Sequence, residues 1–238
     1  MNIRGLQRFS LVDYPGKLAC IVFVGECNFR CPYCHNPCLV FDPESQPLIT
    51  ETEFFDFLSR RTGKLDGVVI SGGEPSLRNA LEDFARKIKE MGFFIKLDTN
   101  GSTPDRVIEM HRKGYIDAFG IDYKAPTELY NSISRNNAVD LAAKVRKLIK
   151  YAIDNNIPTD IRTTVHKSLL SEDHLREMRV ELDTLGVRQW TLQQFHPVDI
   201  IDDNLLEQET YSDRDLLNIS RNLGSDTKVR GLTGIHIH

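Results

Sequence analysis

Three cysteines fall within eight residues, at Cys27, Cys31 and Cys34, in the run Gly25-Glu26-Cys27-Asn28-Phe29-Arg30-Cys31-Pro32-Tyr33-Cys34-His35-Asn36. Thiolates at this density can wrap one small inorganic cluster, because cysteine sulfur is the usual ligand of iron–sulfur centres. Three ligands on a four-iron cube leave one iron without a protein ligand. An open coordination position is what separates a catalytic metal centre from a closed structural one. Zinc is the competing reading: Cys38 or His35 can complete a four-ligand set, yet zinc ribbons present two separated Cys-x-x-Cys pairs and this chain carries one. All five cysteines lie between Cys20 and Cys38, unlike the scattered framework of a disulfide-stapled domain. Cys20 sits in an apolar run and reads as a small buried residue, Cys38 as a bystander or a redox liability beside the cluster.

A second chemical segment is Ser71-Gly72-Gly73-Glu74-Pro75. Paired glycines at a strand end let the backbone approach a ligand closely, and Glu74 offers an acceptor to an ammonium group. Standing alone, the same residues would make an ordinary tight turn.

These segments need a scaffold. The 238 residues, 40% hydrophobic, suffice for one α/β domain with small additions. A formal net charge of −4 gives no electrostatic footprint for nucleic acid or an anionic membrane. The N-terminus lacks a signal-peptide core, and the longest apolar run, Leu18 to Val24, is too short to span a bilayer. The expected compartment is the cytoplasm. Short β-branched runs alternate with amphipathic stretches, which predicts βα units and a parallel sheet. The predicted strands are 18–24, 67–71, 93–97, 118–121, 159–165 and 190–195. Between them, Thr50 and Glu53 form a capping box, Leu81, Phe84, Ile88 and Met91 make a helical stripe, and Thr103-Pro104 opens another helix. Leu141, Val145, Leu148 and Ala152 make a further stripe, as do Leu175, Met178, Leu182 and Leu185 after Ser171. Residues 1–17 read as a short β excursion and 205–222 as a helix, within a C-terminal extension, 198–238, of undefined structure. The pattern implies a single domain, an open partial (β/α)6 TIM-like barrel, with functional residues at the C-terminal ends of its strands.

The cysteine loop resembles the CxxxCxΦC signature of the radical S-adenosylmethionine (SAM) superfamily, with Tyr33 as the aromatic Φ, and Gly72-Gly73-Glu74-Pro75 resembles the superfamily's GGEP motif. The resemblance implies a [4Fe-4S] cluster on Cys27, Cys31 and Cys34, with SAM contacted by Tyr33, Gly72, Gly73 and Glu74. Within the superfamily the chain is most similar to the activating proteins of anaerobic ribonucleotide reductase and to the pyruvate formate-lyase activating enzyme. That likeness is densest from Ser10 to Pro37, including Asp13-Tyr14-Pro15-Gly16, and thins towards Pro197. Asp98-Thr99-Asn100-Gly101 resembles the DTNG motif of the activating enzymes and Asp122-Tyr123-Lys124 their D-x-K. By this likeness Asp98, Thr99 and Asp122 surround a monovalent cation (Na+ or K+), a role that suits hard oxygen ligands, while Asp98, Lys124 and His196 contact SAM. Arg162 and Thr163 are candidate SAM or substrate contacts, or simply polar residues of a barrel interior. Glu26 departs from the family, which has glycine there, and Cys38 stands where a non-cysteine is expected.

The function so implied is that of a glycyl-radical-enzyme activase, an oxidoreductase that abstracts a glycine Cα hydrogen from a partner such as anaerobic ribonucleotide reductase, with flavodoxin or ferredoxin as electron donor. Two other readings stand beside it: a radical SAM enzyme acting on a small molecule, similar to 7-carboxy-7-deazaguanine synthase, and an Fe-S electron carrier or zinc-stabilised binding module.

Overall fold

The computed structural model describes residues 1–234; positions 235–238 of the predicted C-terminal extension lie outside them. The strands are β1 (Ile3–Ser10), β2 (Ala19–Val24), β3 (Gly67–Gly72), β4 (Phe94–Thr99), β5 (Ala118–Asp122), β6 (Thr159–Val165), β7 (Trp190–Gln194) and β8 (Thr227–Arg230). They form one eight-stranded sheet in sequential order. β1 is antiparallel to β2, and β2 through β8 run parallel. Among the described residues β1 and β8 are the two edge strands, with one isolated bridge from Ile3 of β1 to Ile49, and they do not pair with each other, so the sheet curls into a partial barrel without closing.

The helices are α1 (Pro37–Phe41), α2 (Glu51–Ser59), α3 (Leu81–Glu90), α4 (Pro104–Arg112), α5 (Tyr130–Ser134), α6 (Leu141–Asp154), α7 (Glu172–Thr184) and α8 (Asp213–Asn222). Their starts follow local chemistry. Thr50 and Glu53 close the predicted capping box on α2, and Ser171 and Ser212 head similar boxes on α7 and α8. Among the described residues no helix is long and apolar enough to cross a membrane.

Strand alternation sorts the side chains. Val68 and Ile70, Ile95 and Leu97, Phe119 and Ile121, and Trp190 and Leu192 belong to the large core between sheet and helices. The opposite face is the barrel interior, and it is apolar only at one end, where Tyr14, Ala19, Ile21, Val69 and Ala118 form a small separate cluster. Tyr14 thus plugs the amino-terminal end of the barrel, which the turn-like Tyr14-Pro15-Gly16 did not reveal by itself. Further along, the interior becomes ionic, with Lys96, Asp98, Asp122 and Arg162 projecting inward from β4, β5 and β6.

Two predictions about the C-terminal part are corrected. The helix expected over 205–222 is a 3-10 turn at Asp203–Glu207 followed, after a break, by α8. A further parallel strand, β8, pairs Trp190–Gln193 with Thr227–Arg230; it was not predicted because four residues carrying two charges fall short of a strand signal.

Candidate active site

A cavity of about 280 Å3 opens at the carboxyl ends of the parallel strands, and Cys27, Cys31 and Cys34 all line it. They sit on the loop after β2, a strand buried except for the half-buried Phe23, and the loop is shaped by its own hydrogen bonds. The Cys34 amide donates to Cys31 O (3.0 Å), and the Phe29 amide to Cys27 Sγ (3.3 Å). Asn100, from the loop after β4, places its amide nitrogen 3.9 Å from Cys27 Sγ while donating to Asn28 Oδ1 at 2.9 Å. Burial pushes the Cys27 thiol up to about 12, and raises Cys31 and Cys34 as well. Thiolates here need a cationic partner, and the iron of a cluster is one. Among the described residues no three Cys, His, Asp or Glu side chains are gathered as a lone metal ion requires; the three thiols share the wall of a cavity instead. Three cysteine thiols on one loop fit an iron–sulfur cluster, whose usual ligand is cysteine sulfur.

Gly72 and Gly73 line the same cavity, but what excludes a side chain there is protein, not ligand. A Cβ on Gly72, whose φ is +113°, would overlap the backbone of Val24, and one on Gly73 would overlap the carbonyl oxygen of Glu26. The amides of Gly73 and Glu74 donate to Val24 O and Glu26 O, each at 2.8 Å. The glycine pair therefore clamps the loop after β3 against the cysteine loop. Glu26 has φ +68°, the backbone conformation glycine would take, and directs its side chain outward to Arg78.

Glu74 departs from the expectation of an ammonium acceptor in the cavity. It is fully buried, does not line the cavity, and spends its oxygens on the protein. Oε1 accepts from the Ser76 amide (3.0 Å), Ser76 Oγ (2.6 Å) and Thr99 Oγ1 (2.8 Å), and Oε2 from the Asn100 amide (2.6 Å). Burial pushes its carboxyl up and these donors oppose that. Glu74 is a girder between the loops after β3 and β4.

Asp98, Asp122 and Lys124 do converge on the cavity, in an ionic chain. Lys96 Nζ lies 2.5 Å from Asp98 Oδ1, Arg162 reaches Asp98 Oδ2 at 3.1 Å and Asp122 Oδ1 at 2.8 Å, and Lys124 reaches Asp122 Oδ2 at 3.3 Å. Burial pushes both carboxyls up, but the surrounding cations outweigh it and hold both below the usual carboxylate range. Thr99 donates its hydroxyl to Glu74. The predicted monovalent-cation ligands Asp98, Thr99 and Asp122 are thus already engaged by protein groups, and the residues present do not fit such an ion.

Tyr33 also lines the cavity, with Lys124 Nζ 5.8 Å from its ring centroid. His196 does not line it; His35 does, with the His196 ring 6.3 Å behind. His35 Nε2 is buried and has no hydrogen-bond partner among the described residues. Arg162 faces the cavity, whereas Thr163 faces the core, donating to Tyr123 O and accepting from Trp190 Nε1. The second residue of β6 to line the cavity is Thr164, which alternation from Arg162 would have identified. Asp13, Ser71, Gln193 and Arg230 complete the far wall; Arg230 lies on the unpredicted strand. Cys38 is exposed and outside the cavity, and Cys20 is buried as predicted.

Comparisons with known proteins agree with this geometry. The family description "Radical SAM superfamily" matches residues 21–179. A relative from Methanocaldococcus jannaschii, provisionally named a glycyl-radical enzyme activating enzyme, is 33% identical over 207 residues, 84% of this chain and 82% of its own. A second from the same organism, with the same provisional description, is 29% identical over 73% of this chain and 65% of its own. Among solved structures, Streptococcus suis SuiB superposes with a TM-score of 0.67 at 15% identity over 91% of this chain and 49% of its own. The SAM-bound anSMEcpe superposes with a TM-score of 0.61 at 16% identity over 84% and 55%. The chain therefore spans about half the length of these structures, and at such identity they speak for the fold. A [4Fe-4S] cluster and SAM are the cofactors that membership of that family implies. With a partial barrel, a family match over most of its length and a relative one-third identical, the chain belongs to the radical SAM superfamily and is an enzyme of radical SAM chemistry.

Proposed function

We propose that the chain is a glycyl-radical-enzyme activase whose cluster is held by Cys27, Cys31 and Cys34. The observation that carries this reading is the 33% identity, spread over 84% of the chain, to a relative named for that activity. When bound, the cluster supplies one electron to SAM, giving methionine and a 5′-deoxyadenosyl radical able to take a hydrogen atom from a glycine Cα. The protein's own residues bind, orient and shield. The backbone of Gly72 and Gly73 and the ring of Tyr33 form one wall for SAM, and the ionic chain through Lys124 presents positive charge to its carboxylate. His35, rather than His196, stands at the cavity edge. The buried side chains of Cys31 and Tyr33 limit the water that reaches this wall of the cavity, which protects a radical from side reactions.

Among the described residues the edge strands β1 and β8 do not pair with each other, which leaves the barrel open at the side, where Asp13 and Arg230 border the cavity. A glycine-bearing loop of a folded partner can enter there. Two structural neighbours were solved with polypeptides bound, SuiB with its precursor peptide SuiA and anSMEcpe with a peptide. Anaerobic ribonucleotide reductase is the proposed partner, with flavodoxin or ferredoxin as reductant.

The test is anaerobic reconstitution with iron and sulfide, reduction with SAM present, and electron paramagnetic resonance after mixing with anaerobic ribonucleotide reductase. A glycyl radical on the partner is expected, and Cys34→Ala should lose both cluster and signal. SAM cleavage without any glycyl radical on that partner overturns the assignment of partner; a Cys34→Ala protein with full SAM cleavage overturns the ligand set.

A further inference from the structure

We propose that Lys96 and Arg162 are built-in counterions for Asp98 and Asp122, so that the SAM site works without a bound monovalent cation, Lys96 acting as a positioning residue through Asp98. This rests on reading the cavity as the SAM site, and is independent of which protein receives the radical.

Lys96 is 1% exposed, and lysine is almost never so buried unless paired. It precedes Asp98 by two residues on β4, so both project into the barrel, and its Nζ lies 2.5 Å from Asp98 Oδ1. Room for the ammonium comes from the next strand. Gly120 is the Cα partner of Asp98, and a Cβ there would come within 2.8 Å of Lys96 Nζ and overlap Asp98 Oδ1. Lysine at 96 and glycine at 120 are two halves of one device. The sequence shows both residues, but nothing in it shows that they meet.

Every carboxylate oxygen of the pair is engaged. Asp98 Oδ1 takes Lys96, and Oδ2 takes Arg162 and Ser71. Asp122 Oδ1 takes Arg162, and Oδ2 takes Lys124. Asp160 lies 3.9 Å from Arg162 and is itself paired with Arg230 at 3.1 Å, so four cations (Lys96, Lys124, Arg162 and Arg230) against three carboxylates (Asp98, Asp122 and Asp160) leave one positive charge, the complement of a single carboxylate such as that of SAM. An added sodium or potassium ion would meet tethered ammonium and guanidinium groups at close range, where repulsion is weakly screened.

The reconstituted protein should be tested in buffers of matched ionic strength containing sodium, potassium or tetramethylammonium as the only small cation, with photoreduced deazaflavin as reductant and no partner protein. SAM affinity and SAM cleavage are expected to be the same in all three. In Lys96→Met, which keeps the length and removes the charge, both should fall and recover with sodium or potassium by about tenfold, equivalent to about 1.4 kcal/mol. The cluster-free variant, unlike the unmodified protein, should also broaden the 23Na resonance. Tenfold activation of the unmodified protein by potassium or sodium over tetramethylammonium overturns the proposal, and that measurement stands even if the variant does not fold. A folded Lys96→Met protein that remains indifferent to cations overturns the role of Lys96. Because no partner is present, these outcomes are separate from failure of the activase reading.

Discussion

Glu26 and Gly73 face each other across the seam between the cysteine loop and the loop after β3, and their backbones leave no space for another atom. Glu26 accepts the left-handed region at φ +68°, at a cost of roughly 1–2 kcal/mol relative to glycine. Its ion pair with Arg78 is exposed and offsets little of that. Glu26→Gly relieves the strain but frees the unfolded chain, so its net effect on stability should stay within about 1 kcal/mol. Gly73→Ala is different in kind, because its Cβ would overlap Glu26 O, which is backbone and cannot swing aside. It should cost about 1–3 kcal/mol and lower iron and sulfide uptake, since the displaced segment carries Cys27. Thermal melts and iron analysis of the two variants check this; equal behaviour would mean that the seam is slack. The cysteine spacing was legible in the sequence because ligands on one loop are local. The reason for the glycine pair was not, since the atoms that forbid a side chain come from residues 24–26, far along the chain. Glu74 misled for the same reason: its type suits an ammonium group, and only the fold shows Ser76, Thr99 and Asn100 already around it.

The elements were legible where a long periodic pattern or a cap announced them. The six predicted parallel strands are all present, with ends shifted by at most two residues, and the capping box at Thr50 and the cap at Ser171 stand where their side chains imply. β8 escaped because its strand character comes from its place beside β7, not from its four residues. That strand matters for the site, since it carries Arg230 to the cavity wall and pairs it with Asp160 at 3.1 Å. What holds β8 in place is α8, which packs against both β7 and β8, and α8 begins at the box in which Ser212 Oγ accepts from the Asp215 amide at 3.1 Å. Ser212→Ala should destabilise the protein by about 1 kcal/mol, seen as a lower denaturant midpoint at unchanged slope, and Ser212→Asp should largely restore it. Faster amide exchange confined to α8 and β8 would locate the effect. If exchange instead rose evenly through the barrel, the cap would not be what anchors this edge.

The ionic chain from Lys96 to Lys124 ties β4, β5 and β6 together across the barrel interior, so its titration belongs to the molecule and not to one strand. Asp98 is nearly buried, and the cations around it hold its carboxyl below the unfolded value of about 3.9. As pH falls, the unfolded chain therefore takes up the proton first. The stability contributed by Asp98 is complete above about pH 4 and is lost as pH falls through the depressed folded value. Asp122 follows the same direction, although its side chain is 37% exposed to the cavity and its pairing is correspondingly more screened. Glu74 works against them. Its folded carboxyl is raised by burial, so it weakens the fold as pH rises from about 4.3 through the folded value, and is neutral in effect below. Asp98→Asn leaves Lys96 buried without its partner and should cost about 3–5 kcal/mol at neutral pH. It should also flatten the acid limb, so that the stability of the cluster-free protein falls more steeply below about pH 4 in the unmodified chain than in the variant. Parallel curves would show that the chain of charges is not what acid dismantles. Measuring without the cluster matters, because loading converts buried thiols to thiolates and adds its own proton release to the balance.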